Sequence, residues 1–326
     1  MTRTILGCMG WGGGWEPAEP DATAWQEAEQ VAGRALRSAL AAGITTLDTA
    51  DIYAHGRAED VLGRLLDADP GLRRRIRIQT KCGIRLGGSP LYAADTGQTR
   101  YDSSAGHVRA AVAGSLDRLR TDHVDTLVIH RPDVLTDPAE TVEAFLELKA
   151  EGAVRHLGLS NMGLAWVRRF DDALREASAG HETLACVQLE LGLHARGLLE
   201  AVVLANHPQA PPTGDTEGLV QYCTARGIEL QAWGPLGRGR YSRTDPDPAD
   251  APAAAEVHRV AGQLGVGPDV VVLAWLLRLP WAVRPVVGTT RPDRIAACTT
   301  AEETAGRMDA AQWYRIWTAA RGGPLP

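Results

Sequence analysis

Sequence patterns that bind zinc or form disulfide frameworks are missing from this chain. Its five cysteines are far apart, their number is odd and no C-x-x-C occurs, which is typical of reduced thiols in a cytoplasmic protein. The N-terminal stretch MTRTILGCMGWGGGW lacks a charged region followed by a long apolar segment, so no signal peptide is expected. No apolar run approaches the roughly 20 residues that a membrane-spanning helix needs. These absences together predict a cytoplasmic protein without a membrane segment.

Clustered positive charge is also scarce. The formal net charge is −6, and the one basic run, Arg73–Arg75 with Arg77, precedes a predicted strand, where a solvated turn explains it. Because phosphate binding requires a positively charged face, a nucleic-acid partner is excluded. A small molecule is the expected partner, and the sequence favours neither a monomer nor a homo-oligomer.

The chain instead carries eight short, strongly apolar runs that lack the two-residue alternation of half-exposed strands. This pattern is typical of buried parallel strands. Helical patterns separate the runs. In one of them Asp137 is a candidate N-cap, Pro138 lies in the first turn and Gly152 ends the pattern. The predicted strands are residues 3–8, 44–48, 75–81, 124–130, 154–160, 184–190, 228–234 and 283–289.

Eight strands alternating with helices predict one α/β domain over residues 1–326, folded as a closed (β/α)8 TIM barrel. Length alone would allow two domains, but barrels of this type commonly reach this size. The alternative is an open doubly wound sheet, which normally carries G-x-G-x-x-G after its first strand. The stretch GCMGWGGGW does not fit that motif, because Trp15 stands where the last glycine would be. No G-x-x-x-x-G-K-[ST] motif occurs either.

Polar side chains collect where the predicted strands end, on the face of a barrel that carries its chemistry. Asp48 ends the second strand, with Tyr53 in the loop after it, and Lys81 and His130 end the third and fourth strands. Each alone has an ordinary structural explanation, such as a turn-capping Asp or a core His. A barrel would bring all four to one mouth, and we therefore interpret them as one catalytic set, called the tetrad below.

The chemistry of the tetrad is that of a proton donor beside a carbonyl. A free Tyr hydroxyl has a pKa of about 10, and a neighbouring ammonium lowers that pKa by stabilising the phenolate. Asp48 can supply the counter-ion of Lys81, and His130 can hydrogen-bond a substrate carbonyl. No H-x-x-x-H and no carboxylate cluster accompany the tetrad, so no metal is expected. A proton delivered to a carbonyl oxygen requires an electron pair at its carbon, and a nicotinamide cofactor is the natural donor.

Several segments carry a resemblance as well as this chemistry: LDTADIYAHGRAEDVLG, TKCG, DTLVIHRPD, VRHLGLSNM, VQLELGLH and AWGPLGRG. In these segments, and over nearly its full length, the chain resembles the aldo-keto reductase superfamily, and IHRPD, AWLLRLP and AAQWYRI resemble a bacterial branch of oxidoreductases. The resemblance implies a carbonyl reductase that also oxidises alcohols. Tyr53 would be its general acid, assisted by Lys81 and Asp48, and His130 would orient the substrate carbonyl.

The same resemblance implies a site for NADP(H). Ser160, Asn161 and Gln188 would hydrogen-bond the nicotinamide carboxamide, and Trp233 would stack on the ring. Leu236, Gly237 and Gly239 would lie in the loop beside the pyrophosphate, where small residues let backbone N–H groups approach. An arginine suits the adenosine 2′-phosphate because its planar fork makes two bonds. The residues implied there are Thr289, Thr290 and Arg294.

The tryptophans of the glycine-rich stretch have two readings. Trp11 or Trp15 could form a wall of the substrate pocket beside the nicotinamide, or both could pack for stability in a turn. Further pocket walls are expected from residues 83–103, from residues 237–252 and from the C-terminal tail.

Two alternatives to the carbonyl reductase stay open. One is a nicotinamide-binding redox sensor with weak catalysis that acts through a protein partner. The other is a dehydrogenase of the same fold that acts on a sugar or a natural-product intermediate. The intact tetrad argues against the sensor, and nothing in the sequence separates the second alternative from a carbonyl reductase.

Overall fold

The computed structural model of the protein describes residues 2–16, 20–92, 97–204, 208 and 216–326. Eight parallel strands close into a barrel, which confirms the predicted (β/α)8 architecture. A two-stranded antiparallel ribbon lies outside the barrel. The strands in chain order are β1 (Ile5–Gly7), β2 (Thr46–Asp48), β3 (Arg77–Cys82), β4 (Ile84–Arg85), β5 (Arg100–Tyr101), β6 (Val124–Ile129), β7 (Val154–Ser160), β8 (Cys186–Glu190), β9 (Glu229–Trp233) and β10 (Arg284–Val287).

All eight predicted strands are present in the barrel, in the order β1-β10-β9-β8-β7-β6-β3-β2. The ribbon β4–β5 was not predicted, because two-residue strands leave no apolar run. The helices are α1 (Ala22–Ala41), α2 (Arg57–Ala68), α3 (Ala105–Leu119), α4 (Pro138–Ala150), α5 (Leu164–Ala177), α6 (Gly197–Val203), α7 (Leu219–Arg226), α8 (Ala251–Leu264), α9 (Pro268–Leu277), α10 (Pro292–Cys298), α11 (Ala301–Arg307) and α12 (Ala310–Arg321).

The helix boundaries follow from local chemistry. The side chain of Ser104 caps α3, and that of Asp137 caps α4, which begins at Pro138. α2 can approach α3 closely because Gly63 has no side chain: a Cβ there would lie 2.1 Å from the Arg118 carbonyl oxygen. The barrel strands inside the helical layer are largely buried.

Strand register brings polar side chains into the barrel interior. Asp48 of β2 is paired with Gln79 of β3, and Gln188 of β8 is paired with Gln231 of β9. Ser160 of β7 is paired with Gln188. Because parallel strands place their paired residues at one level, these residues meet around the barrel axis.

No single helix in the described ranges is long and apolar enough to cross a membrane. By length and composition alone, α8 and α9 pass that test together, as a pair bent by 94°. The assignment of residues 1–326 to one domain and the cytoplasmic location stay predictions.

Candidate active site

Three neighbouring strands carry the tetrad to one end of the barrel. Asp48 is the last residue of β2, Lys81 lies one residue before the end of β3, and His130 follows β6 directly. β2, β3 and β6 are adjacent in the barrel, so their carboxyl ends are adjacent too. Tyr53 begins a short turn after β2 in which the next residues are left-handed, with φ of 48° at Ala54. This turn brings the Tyr53 ring back over the strand ends.

Lys81 forms hydrogen bonds to both Asp48 and Tyr53, and these three side chains form the buried centre of the site. Its Nζ donates to Asp48 Oδ1 at 2.6 Å, to the Thr49 carbonyl at 2.8 Å and to Tyr53 Oη at 3.2 Å. All three ammonium protons therefore have an acceptor. The side chains of Lys81 and Asp48 are 1% and 3% exposed, so their mutual attraction is only weakly screened by water.

Burial and charge act in opposite directions on the pKa values of this centre. Burial raises the pKa of Tyr53, Lys81 lowers it and Asp48 raises it, with a net upward shift. Burial lowers the pKa of Lys81, but the Asp48 carboxylate and Tyr53 together raise it by more than burial lowers it. The net shift is upward, so the ammonium stays charged. Lys81 thus lowers the pKa of Tyr53 as expected, but the net shift is upward because burial has the larger effect, and the sequence did not reveal how deeply the phenol is buried. A protonated Tyr53 at neutral pH follows.

His130 completes the tetrad as a neutral imidazole. Its ring lies edge-on to Tyr53, with 6.0 Å between centroids. Burial and the charges of Lys81 and Arg131 hold its pKa well below the ordinary value. Among the residues that the structure describes, its buried Nδ1 has no hydrogen-bond partner. A neutral ring beside the phenol can donate one hydrogen bond without competing as a base.

Residues at the ends of β7 and β9 form a second connected group next to His130. Asn161 Nδ2 donates to the Ser160 hydroxyl at 2.8 Å and to the His130 carbonyl at 3.2 Å. Trp233 Nε1 donates to Asn161 Oδ1 at 2.9 Å. These bonds fix the amide of Asn161 and the indole of Trp233 relative to the tetrad. Gln188 lies deeper and donates to Asp48 Oδ2 at 2.8 Å.

The segment after β9 turns tightly. Gly237 and Gly239 have φ of 52° and 77°, in the left-handed region that favours glycine. A Cβ on Gly237 would lie 2.9 Å from His194 Nδ1, so a larger residue there requires the His194 ring to move. The backbone amide of Gly239 donates to the Leu236 carbonyl within the turn. Gly237 thus leaves room for His194, and the approach of these residues to a pyrophosphate stays a prediction.

The segment after β10 carries the three residues implied for the 2′-phosphate. Thr289 and Thr290 are half-buried, and Arg294 is exposed at the start of α10. Arg294 Nε lies 3.5 Å from Asp269 Oδ2, whereas the neighbouring Arg291 is held by two hydrogen bonds to Asp293. Arg294 is thus the less committed of the two guanidinium groups.

The structure separates the two tryptophans of the glycine-rich stretch. Trp11 is fully buried in the hydrophobic core, so it forms no wall of an open pocket. Trp15 is 44% exposed, and its ring lies edge-on to Tyr53 at 6.3 Å. The burial of Trp11 favours a role in packing, and the exposure of Trp15 beside Tyr53 favours a place in the substrate pocket.

His55 and Arg57, which the sequence analysis missed, hold Trp15 in place. His55 Nε2 donates to the Trp15 carbonyl at 2.8 Å, and its Nδ1 lies 3.0 Å from Ser89 Oγ. Arg57 donates to the carbonyls of residues 12, 14 and 16. His55 and Arg57, just after Tyr53, therefore hydrogen-bond both the glycine-rich stretch and Ser89 of residues 83–103, two segments that are expected to form pocket walls.

Residues 83–103, predicted as another pocket wall, are described only in part. Tyr92 Oη donates to the buried Asp51 carboxylate at 3.0 Å, and burial raises the pKa of that carboxyl to about 7. Residues 93–96 of this predicted wall lie outside the described part of the chain. Within the described ranges, no group of three or more His, Cys, Asp or Glu side chains could hold a metal ion.

The chain is similar to known proteins over most of its length. The sequence profile of the Aldo/keto reductase family matches residues 3–320. The chain is 36% identical over 285 residues to the uncharacterized oxidoreductase YcsN of Bacillus subtilis, covering 87% of this chain and 86% of that one. It is also 36% identical over 288 residues to a 6-dehydroglucose reductase of Agrobacterium fabrum, covering 88% and 86%.

A solved structure supports the fold. The aldo/keto reductase from Klebsiella pneumoniae in complex with NADP and acetate matches with a TM-score of 0.71 and 23% identity. The match covers 99% of this chain and 93% of that one. The sequence similarity is high enough, and covers enough of the chain, to decide its membership. The protein is an oxidoreductase of the aldo/keto reductase family.

Proposed function

We propose that the protein reduces an aldehyde or ketone with NADPH, and reversibly oxidises the alcohol, with Tyr53 as general acid. The observation that carries the proposal is the buried contact of Lys81 Nζ with both Tyr53 Oη at 3.2 Å and Asp48 Oδ1 at 2.6 Å. A phenol beside an ammonium can give up its proton to a carbonyl oxygen, because the charge of Lys81 stabilises the phenolate that remains.

The residues divide the work of this reaction. The nicotinamide, when bound, supplies the hydride. Tyr53 holds the proton at neutral pH, because its pKa is raised, and Lys81 stays cationic beside it. His130, neutral for the reasons given above, would hydrogen-bond the carbonyl oxygen and aim it at the Tyr53 hydroxyl.

The donor set at the strand ends fits a nicotinamide carboxamide. Both amide protons of Gln188 are committed, to Asp48 and to Gln231, which leaves its oxygen to accept from the carboxamide NH2. The hydroxyl of Ser160 and the amide of Asn161 lie at the neighbouring strand end, and the indole of Trp233, fixed by its bond to Asn161, offers a stacking face. Residues Leu236, Gly237 and Gly239 would lie beside the pyrophosphate.

NADP(H) is favoured over NAD(H) by the segment after β10. Thr289, Thr290 and Arg294 would hold the 2′-phosphate. Two solved aldo-keto reductase structures from Klebsiella pneumoniae with the same fold are complexes with NADP and with NADPH. The exposed guanidinium of Arg294 is of the kind that binds phosphate in two places.

We expect Arg294→Ala to raise the Kd for NADPH by about ten- to 100-fold and to leave the Kd for NADH unchanged. The lost interaction is a charge-assisted hydrogen bond, which contributes about 1.5–3 kcal/mol. Titrations that follow quenching of tryptophan fluorescence measure both constants. Arg315→Ala, which removes another partly exposed guanidinium on α12, is the matched control. Equal weakening of NADPH and NADH binding would contradict the assignment of Arg294.

A sugar aldehyde is a specific candidate for the substrate. Two relatives, from Agrobacterium fabrum at 36% and Novosphingobium aromaticivorans at 33% identity, are named 6-dehydroglucose reductases. Such a substrate is a sugar, one of the two substrate classes named by the dehydrogenase alternative from the sequence. The pocket contributions of Trp15 and of residues 83–92 would then have to accept hydroxyl groups.

The function is tested by incubating the protein with NADPH or NADH and a panel of aldehydes, ketones and sugar aldehydes. We expect NADPH oxidation with at least one carbonyl compound, and slower oxidation of NADH. Tight NADPH binding without turnover on the whole panel would instead favour the redox sensor. Turnover of a hexose 6-aldehyde in preference to simple aldehydes would identify the sugar as the substrate class.

A further inference from the structure

Three glutamines lie on the inner side of Asp48, and the tetrad does not account for them. Gln79, Gln188 and Gln231 come from β3, β8 and β9 and are 3%, 2% and 4% exposed. We call them the glutamine bridge. The interior of a (β/α)8 barrel is usually filled by branched apolar side chains. Buried amides are costly unless they are hydrogen-bonded, so three of them at one level require an explanation.

The glutamine bridge satisfies all its own donors. Gln79 Nε2 donates to Gln231 Oε1 at 2.8 Å, and Gln231 Nε2 donates back to Gln79 Oε1 at 3.0 Å. Gln188 Nε2 donates to the same Gln231 oxygen at 2.9 Å. The second proton of Gln231 goes to Glu229 Oε1 at 2.8 Å. Gln79 and Gln231 thus form a cyclic amide pair with Gln188 attached to it.

The remaining amide protons converge on Asp48. Gln79 and Gln188 both donate to its Oδ2, while Lys81 donates to its Oδ1. Both carboxylate oxygens are therefore fixed, so the carboxylate cannot rotate without breaking bonds on both sides. The position of Lys81, and through it the contact with Tyr53, depends on that orientation. A small displacement at such a centre can lower a rate about 100-fold.

The bridge is anchored at the opposite end of the barrel. Glu229, which accepts from Gln231, is paired with Arg284 at 3.2 Å, and Arg284 Nη2 donates to Thr46 Oγ1 at 3.2 Å. A cavity of about 280 Å³ lies among these residues at the amino-terminal end of the barrel. Gln79 and Gln231 separate this cavity from the buried Asp48–Lys81 pair, so only replacements of similar size can be compared cleanly.

We propose that Gln79 and Gln231 are positioning residues of the reaction: Gln79 holds the Asp48 carboxylate against Lys81, and Gln231 holds Gln188 with its oxygen free for the cofactor. The inference rests on the proposed function. It assigns separate consequences to the two residues, since Gln79 bonds Asp48 directly and Gln231 does not. Neither side chain contacts the substrate in this scheme.

The variants Gln79→Met and Gln231→Met test this division, because Met has a similar length and no amide. For Gln79→Met we expect kcat to fall about ten- to 100-fold, with KM and the Kd for NADPH unchanged. For Gln231→Met we expect the Kd for NADPH to rise about three- to tenfold, because Gln188 loses one of the two acceptors that hold its amide. Steady-state kinetics measure the first effect and fluorescence titration the second.

Gln312→Met is the matched control. Gln312 is also a buried glutamine, but it bonds the Asp309 backbone in the cap of α12. We expect it to lower the unfolding temperature without changing kcat. If Gln79→Met behaves like Gln312→Met, losing stability but keeping kcat, the proposal is overturned. If the wild-type protein reduces no carbonyl, the proposed function fails, whereas the predicted difference in NADPH binding between Gln231→Met and Gln79→Met still tests the bridge.

Discussion

Replacing Tyr53 by Phe is expected to lower kcat for carbonyl reduction by about 100- to 10,000-fold, the usual contribution of a general acid. The change removes the proton and leaves the ring, so the edge contacts with His130 and Trp15 remain. Lys81 loses one of its three acceptors but keeps Asp48 and the Thr49 carbonyl. NADPH binding and the fold should therefore be unchanged. Stopped assays measure the loss of kcat, and fluorescence titration measures the Kd for NADPH.

The matched control for this change is Tyr222→Phe. The hydroxyl of Tyr222 also donates to a carboxylate, that of Asp171 at 2.9 Å, but it lies on α7, outside the barrel mouth. We expect full reductase activity in this variant. Undiminished activity in Tyr53→Phe would remove the phenol from the mechanism and leave Lys81 or His130 as the proton source.

The second large effect is expected from breaking the Asp48–Lys81 pair. Both groups are almost fully buried, so Lys81→Met leaves a carboxylate, and Asp48→Asn an ammonium, without its counter-ion. Each single change should lower the free energy of unfolding by about 3–5 kcal/mol. The double variant should lose less than the sum, because no unpaired charge remains. Urea unfolding followed by circular dichroism measures the three differences, and the reductase activity should be lost in all of them.

Burial, more than distance, sets the size of this effect, and the chain offers a comparison. Arg291 and Asp293 are 2.7 Å apart, nearly the same distance as Lys81 and Asp48, but both side chains are 63% exposed. Arg291→Met should therefore leave the unfolding curve unchanged, as is typical of surface pairs. Strictly additive losses in the Asp48 and Lys81 variants would mean that the two groups do not stabilise each other.

Much of the site was accessible from local sequence. Asp48, Tyr53, Lys81 and His130 stand at the ends of recognisable apolar runs, and Ser160, Asn161 and Trp233 do so as well. A parallel barrel brings the ends of all its strands to one face, so position along each strand was enough to assemble them. The catalytic and cofactor roles of these residues stay predictions.

Other parts of the site depended on burial, which the sequence does not report. The pKa of Tyr53 is raised because burial outweighs Lys81, although the presence of Lys81 indicated the opposite. Trp11 and Trp15 occupy the same glycine-rich stretch, and nothing in that stretch distinguishes the core residue from the exposed one. His55 could have been noticed only as a polar residue close to Tyr53, since its partners lie in two other loops.

By itself, the sequence determined the eight strands, their closure into a barrel and the family, because buried parallel strands leave continuous apolar runs and the site residues follow them. Only the tertiary structure decided which interior polar residues bond Asp48 and which bond one another. Gln79 lies two residues before Lys81 and so shares its face of β3, but Gln231 is 152 residues away from Gln79. Their amides meet because strand register and barrel closure bring β3 and β9 to the same level, and that pairing is a property of the closed barrel alone.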